Sequence, residues 1–257
     1  MNQTCLICGV PVSRQNMQEV LGELLDRAAH GSGAWILTLN TEMLARFTRE
    51  PGYRELVAEA DIITADGMPL VWASRMRGPQ HAIPERTTGV DLVHAFMQQP
   101  SLPRYAIIGG VDPAATLGRY GSIAIEACGY LFNGRVDLSD AQTHEFVDRL
   151  RAERIRVLFV ALGVPKQDRL ALKLRAAMPE LTIVGVGGTF EILGPTGRRA
   201  PRWMQMSGLE WLYRFAQEPR RLWKRYVLQY PFGLGLLATD TLKVCAASRK
   251  VHTRPPA

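Results

Sequence analysis

Two stretches, WILTLNTEMLARF (35–47) and DIITADGMPLVW (61–72), decide the fold. Each begins as an apolar run, meets a polar residue, Asn40 or Asp66, and passes at once into helix-forming sequence. Apolar runs with little alternation suit strands buried on both faces, as in a parallel sheet. Their C-terminal ends are where such sheets keep ligands. Asp66 has two readings at this point. It is a cap or first-turn acid for the following helix, or a carboxylate that takes a proton from a substrate hydroxyl.

The same pattern recurs at YAIIG (105–109), VLFVAL (157–162) and TIVGVG (182–187), with a further short strand near CLICGV (5–10). Helical periodicity fills the gaps, near 15–29, 41–48, 53–60, 67–76, 89–98, 113–127, 140–153 and 166–177. In the first of these Met17, Val20, Leu21, Leu24 and Leu25 fall on one face. Strand and helix in alternation predict an α/β fold, a Rossmann-like and mostly parallel sheet flanked by helices. After Gly194 the character changes. The segment is rich in Trp and Arg, reads as helical, is broken by Gly208 and Pro219, and ends in a HTRPPA stretch (252–257) expected to be disordered. The expected organisation is a core over 1–194 and a basic helical appendage over 195–257.

The 257 residues are 47% apolar and 21% charged, enough for a sizeable core. The net charge of +7 is uneven. Residues 195–257 carry 12 Lys/Arg against 3 Asp/Glu, and residues 1–194 carry 19 against 21. A near-neutral body with a basic end expects an anionic counterpart: phosphate, anionic lipid or nucleic acid. The aromatic residues of that end lie among aliphatic ones, as for a core or a bilayer interface, which argues against nucleic acid. No apolar run approaches the roughly 18 residues of a membrane span. The first fifteen residues lack the basic and apolar regions of a signal peptide, so a cytoplasmic protein is expected. Cys5 and Cys8 form a CxxC with no second pair, and read as small residues of a first strand.

Five expected strand ends carry chemistry-bearing residues: Thr38 to Thr41, Ala65 to Gly67, Gly109-Gly110, Gly163 to Gln167, and Gly185 to Thr189. Glycines there let backbone approach a ligand, and helix N-termini present N–H groups to phosphate. Neither GxGxxG nor a Walker A loop is present, and tight strand-to-helix turns use glycine anyway. Arg86 precedes a helix and can fork onto a diphosphate. Glu191 is a second carboxylate at such a turn. There is no HExxH, zinc cluster, GxSxG or DxD, so no metal or other cofactor is expected. Arg220 and Lys224, and Arg221 and Arg225, are like charges at i,i+4 spacing, which something anionic must relieve. With Trp223 and Tyr226 they suit a membrane surface or a lipid diphosphate.

Together the blocks TLNTEML, ADIITADGMPLVW, ERTTGVDL, ALGVPKQ, GVGGTFEILGPTGRRAPRWM and GLEWLYRFAQEPRRLWKRY resemble the WecG/TagA/CpsF family of bacterial glycosyltransferases, in family order from about residue 8 to 227. The resemblance implies an inverting enzyme that moves a sugar, N-acetylmannosamine or a related hexose, from a UDP-sugar to an undecaprenyl-diphosphate-linked sugar. Some members serve exopolysaccharides by β-glucosyl transfer. It implies a Rossmann-like core with a membrane-targeting appendage, at the inner face of the cell membrane. It makes Asp66 the catalytic base. Thr38, Asn40, Arg86 and Gln167 become substrate-binding residues, with Arg214, Arg221 and Arg225 meeting a lipid diphosphate or departing UDP. Glu191 stands where the family often has Asp, and the tail after Gln229 is less basic and more Gly-rich than expected. A non-catalytic nucleotide- or membrane-binding module is the rival reading, and an apolar appendage could also be covered by a second subunit in a homo-oligomer.

Overall fold

The computed structural model describes residues 3–252, so the 253–257 part of the expected disordered end lies outside them. The chain opens with an antiparallel hairpin, β1 (Thr4–Ile7) and β2 (Val10–Ser13). Its two-residue turn is Cys8-Gly9, both with positive φ, 51° and 84°. Cys8 is therefore a turn residue, and only Cys5 belongs to the strand. This turn conformation matches strand twist, which the CxxC reading did not anticipate.

Six strands make the main sheet: β3 (Ala34–Leu39), β4 (Ile62–Ala65), β5 (Tyr105–Gly109), β6 (Cys128–Phe132), β7 (Val157–Ala161) and β8 (Thr182–Gly185). Their order is β4-β3-β8-β7-β5-β6, and every pairing is parallel. β3, β4, β5, β7 and β8 are buried along their whole lengths, because helices cover both faces. Trp35, Leu37 and Leu39 join one core layer and Ala34 and Ile36 the other, which is why no polar alternation marks the strand. In the second layer Phe96, Tyr105 and Phe159 meet edge-to-face at centroid distances of 5.0–6.1 Å.

Two elements differ from the expectation. The helix over 113–127 is two, Pro113–Leu117 and Ser122–Ala127, separated at Gly121. β6 follows directly, an edge strand only half-buried along its length, so CGYLF lacks the apolar signature of its partners. Beyond Gly194 come the helices Arg202–Met206, Glu210–Gln217 and Pro219–Trp223, a π-helical turn Lys224–Gln229, and a long helix Tyr230–His252. The long helix packs on the helix Thr41–Arg46. The approach needs Gly233: a Cβ there would sit 2.0 Å from the Thr41 carbonyl oxygen. Among the described residues no helix is long and apolar enough to cross a membrane.

Candidate active site

The C-terminal ends of β3, β4 and β8 open onto a cleft of about 390 Å³. Thr38, Asn40, Asp66, Arg86 and Gln167 line it from the sheet side. Arg214, Arg221 and Arg225 line it from the facing helices, so residues more than 150 positions apart in sequence meet at one edge of the sheet. Glu191 is not on its surface. It stands behind Gly188, with Oε2 buried and unpartnered. A Cβ on Gly188 would lie 3.6 Å from that oxygen and 3.4 Å from an Arg214 nitrogen.

Asp66 does not cap the helix that follows it. The N-cap of Met68–Met76 is Gly67, and no side chain caps that end. The Asp66 backbone N–H donates to Leu39 O at 2.8 Å, which pins the residue at the end of β4, while its carboxylate makes no hydrogen bond among the described residues. Burial pushes its pKa up to about 6, Glu210 adds to the rise, and Arg86, Arg225 and Arg214 oppose it. A mostly buried, unengaged carboxylate with a raised pKa at a cleft surface has the properties of a general base. Asn40, by contrast, is a true cap: its side chain accepts from Met43 N–H at 3.1 Å. Thr38 is buried and donates to Gly185 O at 3.1 Å, stitching β3 to β8 beneath the cleft.

The arginines divide into held and open groups. Arg86 donates to Glu210 Oε2 and to Gln205 Oε1, both at 2.6 Å, and so joins the sheet side to the facing helices. Arg199 joins the same knot through Asp91 at 2.6 Å. Arg225 is held through Nε by Glu42 at 2.9 Å, and Arg221 by Glu218 at 2.9 Å. The protein therefore supplies the anions that relieve the Arg221 and Arg225 pair. Arg214 has no ion-pair partner among the described residues. Tyr226, expected at a membrane surface, is turned inward and buried. Glu42 and Glu210 were not legible as site residues, since each reads as an ordinary first-turn acid.

Gln167 and Asp168 shape the glycine turn. Gln167 is buried, and its Oε1 accepts from Gly187 N–H at 2.9 Å. A Cβ on Gly185 would meet Gln167 Nε2 at 3.0 Å, so glycine there admits the amide. Asp168 is fully buried, and its Oδ2 accepts from the Tyr53 hydroxyl at 2.6 Å. Burial pushes its pKa up to about 7, against hydrogen bonding from Tyr53 and Gln167. The folded chain holds this proton where the unfolded chain has lost it, so stability falls as pH rises between 3.8 and about 7. Asp168→Asn is expected to flatten that fall, which runs at up to about 1.4 kcal/mol per pH unit. Melting temperatures of both proteins across pH 4.5–8 check it; parallel curves would refute the assignment.

The model of the glycosyl transferase family WecG/TagA/CpsF matches residues 5–244. One relative, from Bacillus spizizenii (strain ATCC 23059 / NRRL B-14472 / W23), is 29% identical over 224 residues, 86% of this chain and 83% of its own. It is named N-acetylglucosaminyldiphosphoundecaprenol N-acetyl-beta-D-mannosaminyltransferase. With a match over nearly its whole length and a cleft at the carboxyl edge of a parallel α/β sheet, the chain belongs to the WecG/TagA/CpsF family of glycosyl transferases.

Proposed function

We propose that this glycosyltransferase moves a hexose, N-acetylmannosamine or a close relative, from a UDP-sugar to an undecaprenyl-diphosphate-linked sugar. The observation that carries the reading is Asp66, an unengaged carboxylate with a pKa near 6 in a cleft that also holds Arg214, Arg221 and Arg225. The name of the Bacillus relative supports the donor and acceptor sugars.

In this reading an acceptor hydroxyl attacks the anomeric carbon from the side opposite UDP. Asp66 takes the hydroxyl proton as the new C–O bond forms. The bond from the anomeric carbon to the diphosphate oxygen breaks, and its electron pair leaves with UDP, giving inversion. Arg214, Arg225 and the Gly187-Gly188 turn receive the developing charge, and Gln167 holds that turn. Guanidinium groups do here what a divalent cation does in other sugar-nucleotide sites, so no metal is required. Residues 195–257 act as an appendage that seats the cleft on the inner face of the membrane, where the acceptor lies. Exposed Trp203, Met206, Trp223, Leu228 and Phe232, interspersed with Arg220 and Lys224, support that seating.

The test is UDP release from a panel of UDP-sugars with a lipid-diphosphate-linked N-acetylglucosamine, with and without EDTA. Acceptor-dependent release with one donor, unchanged by EDTA, is expected. Arg214→Ala should lower kcat about 10–100-fold, the worth of one hydrogen bond to a charged group. Release that is independent of acceptor, or abolished by EDTA, would overturn the reading.

A further inference from the structure

Trp211, Tyr226 and Tyr230 form an aromatic wall of the cleft that the mechanism above leaves unused. Trp211 lies 5.7 Å from Tyr226 and 5.5 Å from Tyr230 between ring centroids, and the two tyrosines are 5.9 Å apart. Tyr226 is buried and backs the wall, while Trp211 and Tyr230 keep part of their surface open. The rest of the cleft is mostly small or charged: glycines, threonines, carboxylates and guanidinium groups. An aromatic face set among a few polar groups is how pockets orient a ligand that is itself part apolar.

We infer that Trp211 and Tyr230 are the platform on which the ring of the acceptor sugar stacks through its C–H face. The inference rests on the transferase reading and names a subsite within it. Placement decides acceptor over donor. The sheet order sets Asp66 at the end of β4 and the glycine turn after β8, with β3 between them. Arg214 lies against that turn at Gly188, which assigns the β8 side to the diphosphate. Tyr230 opens the long helix that packs on Thr41–Arg46, just past the end of β3, and the helix bearing Trp211 starts beside Met68, two residues past Asp66, where a Cβ on Gly208 would lie 3.3 Å from Met68 Cβ. The base must touch the acceptor hydroxyl, so the ring face beside the base meets the acceptor. The wall also belongs to the same segment as the exposed apolar side chains, the direction from which a lipid-linked sugar arrives.

The test compares Trp211→Phe, Trp211→Leu and Trp211→Ala in the full chain. A short-chain polyprenyl-diphosphate-linked N-acetylglucosamine is varied at saturating UDP-sugar, and UDP-sugar Kd is measured by calorimetry. Loss of the ring face in the Leu and Ala variants is expected to raise acceptor KM about tenfold, with Phe close to wild type. Donor Kd should not move, and it also reports that each variant is folded. A donor Kd that rises as far as acceptor KM would assign the platform to the nucleotide base instead. Wild-type acceptor KM in Trp211→Leu would reduce the wall to packing. Either result overturns the platform while leaving the transferase reading standing; a wild-type chain without acceptor-dependent release removes both.

Discussion

Replacing Asp66 with asparagine is expected to lower kcat by about 10²–10⁴-fold, the usual worth of a positioned general base. Asparagine keeps the shape and the 2.8 Å backbone bond to Leu39 but cannot accept the proton. UDP-sugar affinity should hold, because Asp66 is assigned to the acceptor side. The fold should hold as well, and at pH 8 the variant should be no less stable than wild type. The wild-type carboxylate, with its pKa raised to about 6, ionises in the folded state at a cost in stability that asparagine avoids. Greater stability with lost turnover is the signature of a site residue rather than a structural one.

The same placement sets a pH profile. Activity needs the ionised form, so kcat/KM should rise about tenfold per pH unit below 6 and level off above it. Burial is the largest cause of the raised pKa, and Glu210 is the next. Glu210→Gln should therefore move the limb to lower pH without removing it. A limb that stays put in Glu210→Gln but disappears in Asp66→Asn would keep the base and discard that electrostatic account. A limb unchanged in Asp66→Asn would remove Asp66 from the proton transfer.

Sequence made the sheet legible wherever burial was two-sided. WILTL and VLFVA could hardly be anything but central strands, and their ends located the cleft. The edge strand Cys128–Phe132 was not legible, because a half-buried strand with Gly129 shows neither a solid apolar run nor clean alternation. Among the cleft-lining residues, Asp66, Arg86 and Gln167 were legible from strand ends and helix starts and Arg221 and Arg225 from charge spacing, whereas Arg214 came only with the family resemblance. Their pairings could not. Whether Arg86 faces a diphosphate or Glu210 depends on how a segment more than 100 residues away folds back, and no local spacing encodes that. Asp168 hid for the opposite reason: a first-turn acid is so ordinary that its complete burial leaves no trace in the sequence.

Asp240→Ala is expected to give the largest stability loss, far from the cleft yet felt there. Arg77 ends the helix Met68–Met76, and its side chain is 1% exposed. It donates to Asp240 at 2.6 Å, to Thr241 Oγ1 at 3.1 Å and to the Leu6 carbonyl. Asp240 also accepts from Cys8 N–H at 2.7 Å, so one carboxylate ties the long C-terminal helix to both the core and the hairpin turn. Removing it leaves a buried guanidinium without its counter-charge, at a cost of about 3 kcal/mol, and a melting temperature lower by roughly 10 °C. Arg77→Leu added to Asp240→Ala should recover part of the loss, because no orphan charge remains. That recovery separates a charge effect from simple loosening of the helix. The long helix also carries Tyr230, and through Gly233 it seats on Thr41, one residue before Glu42, which holds Arg225. Loosening its far end should therefore raise acceptor KM in Asp240→Ala more than it lowers donor affinity. An Asp240→Ala variant that melts with wild type would show that this pair carries no weight, and that apolar packing such as that of Leu237 and Gly233 holds the helix in place.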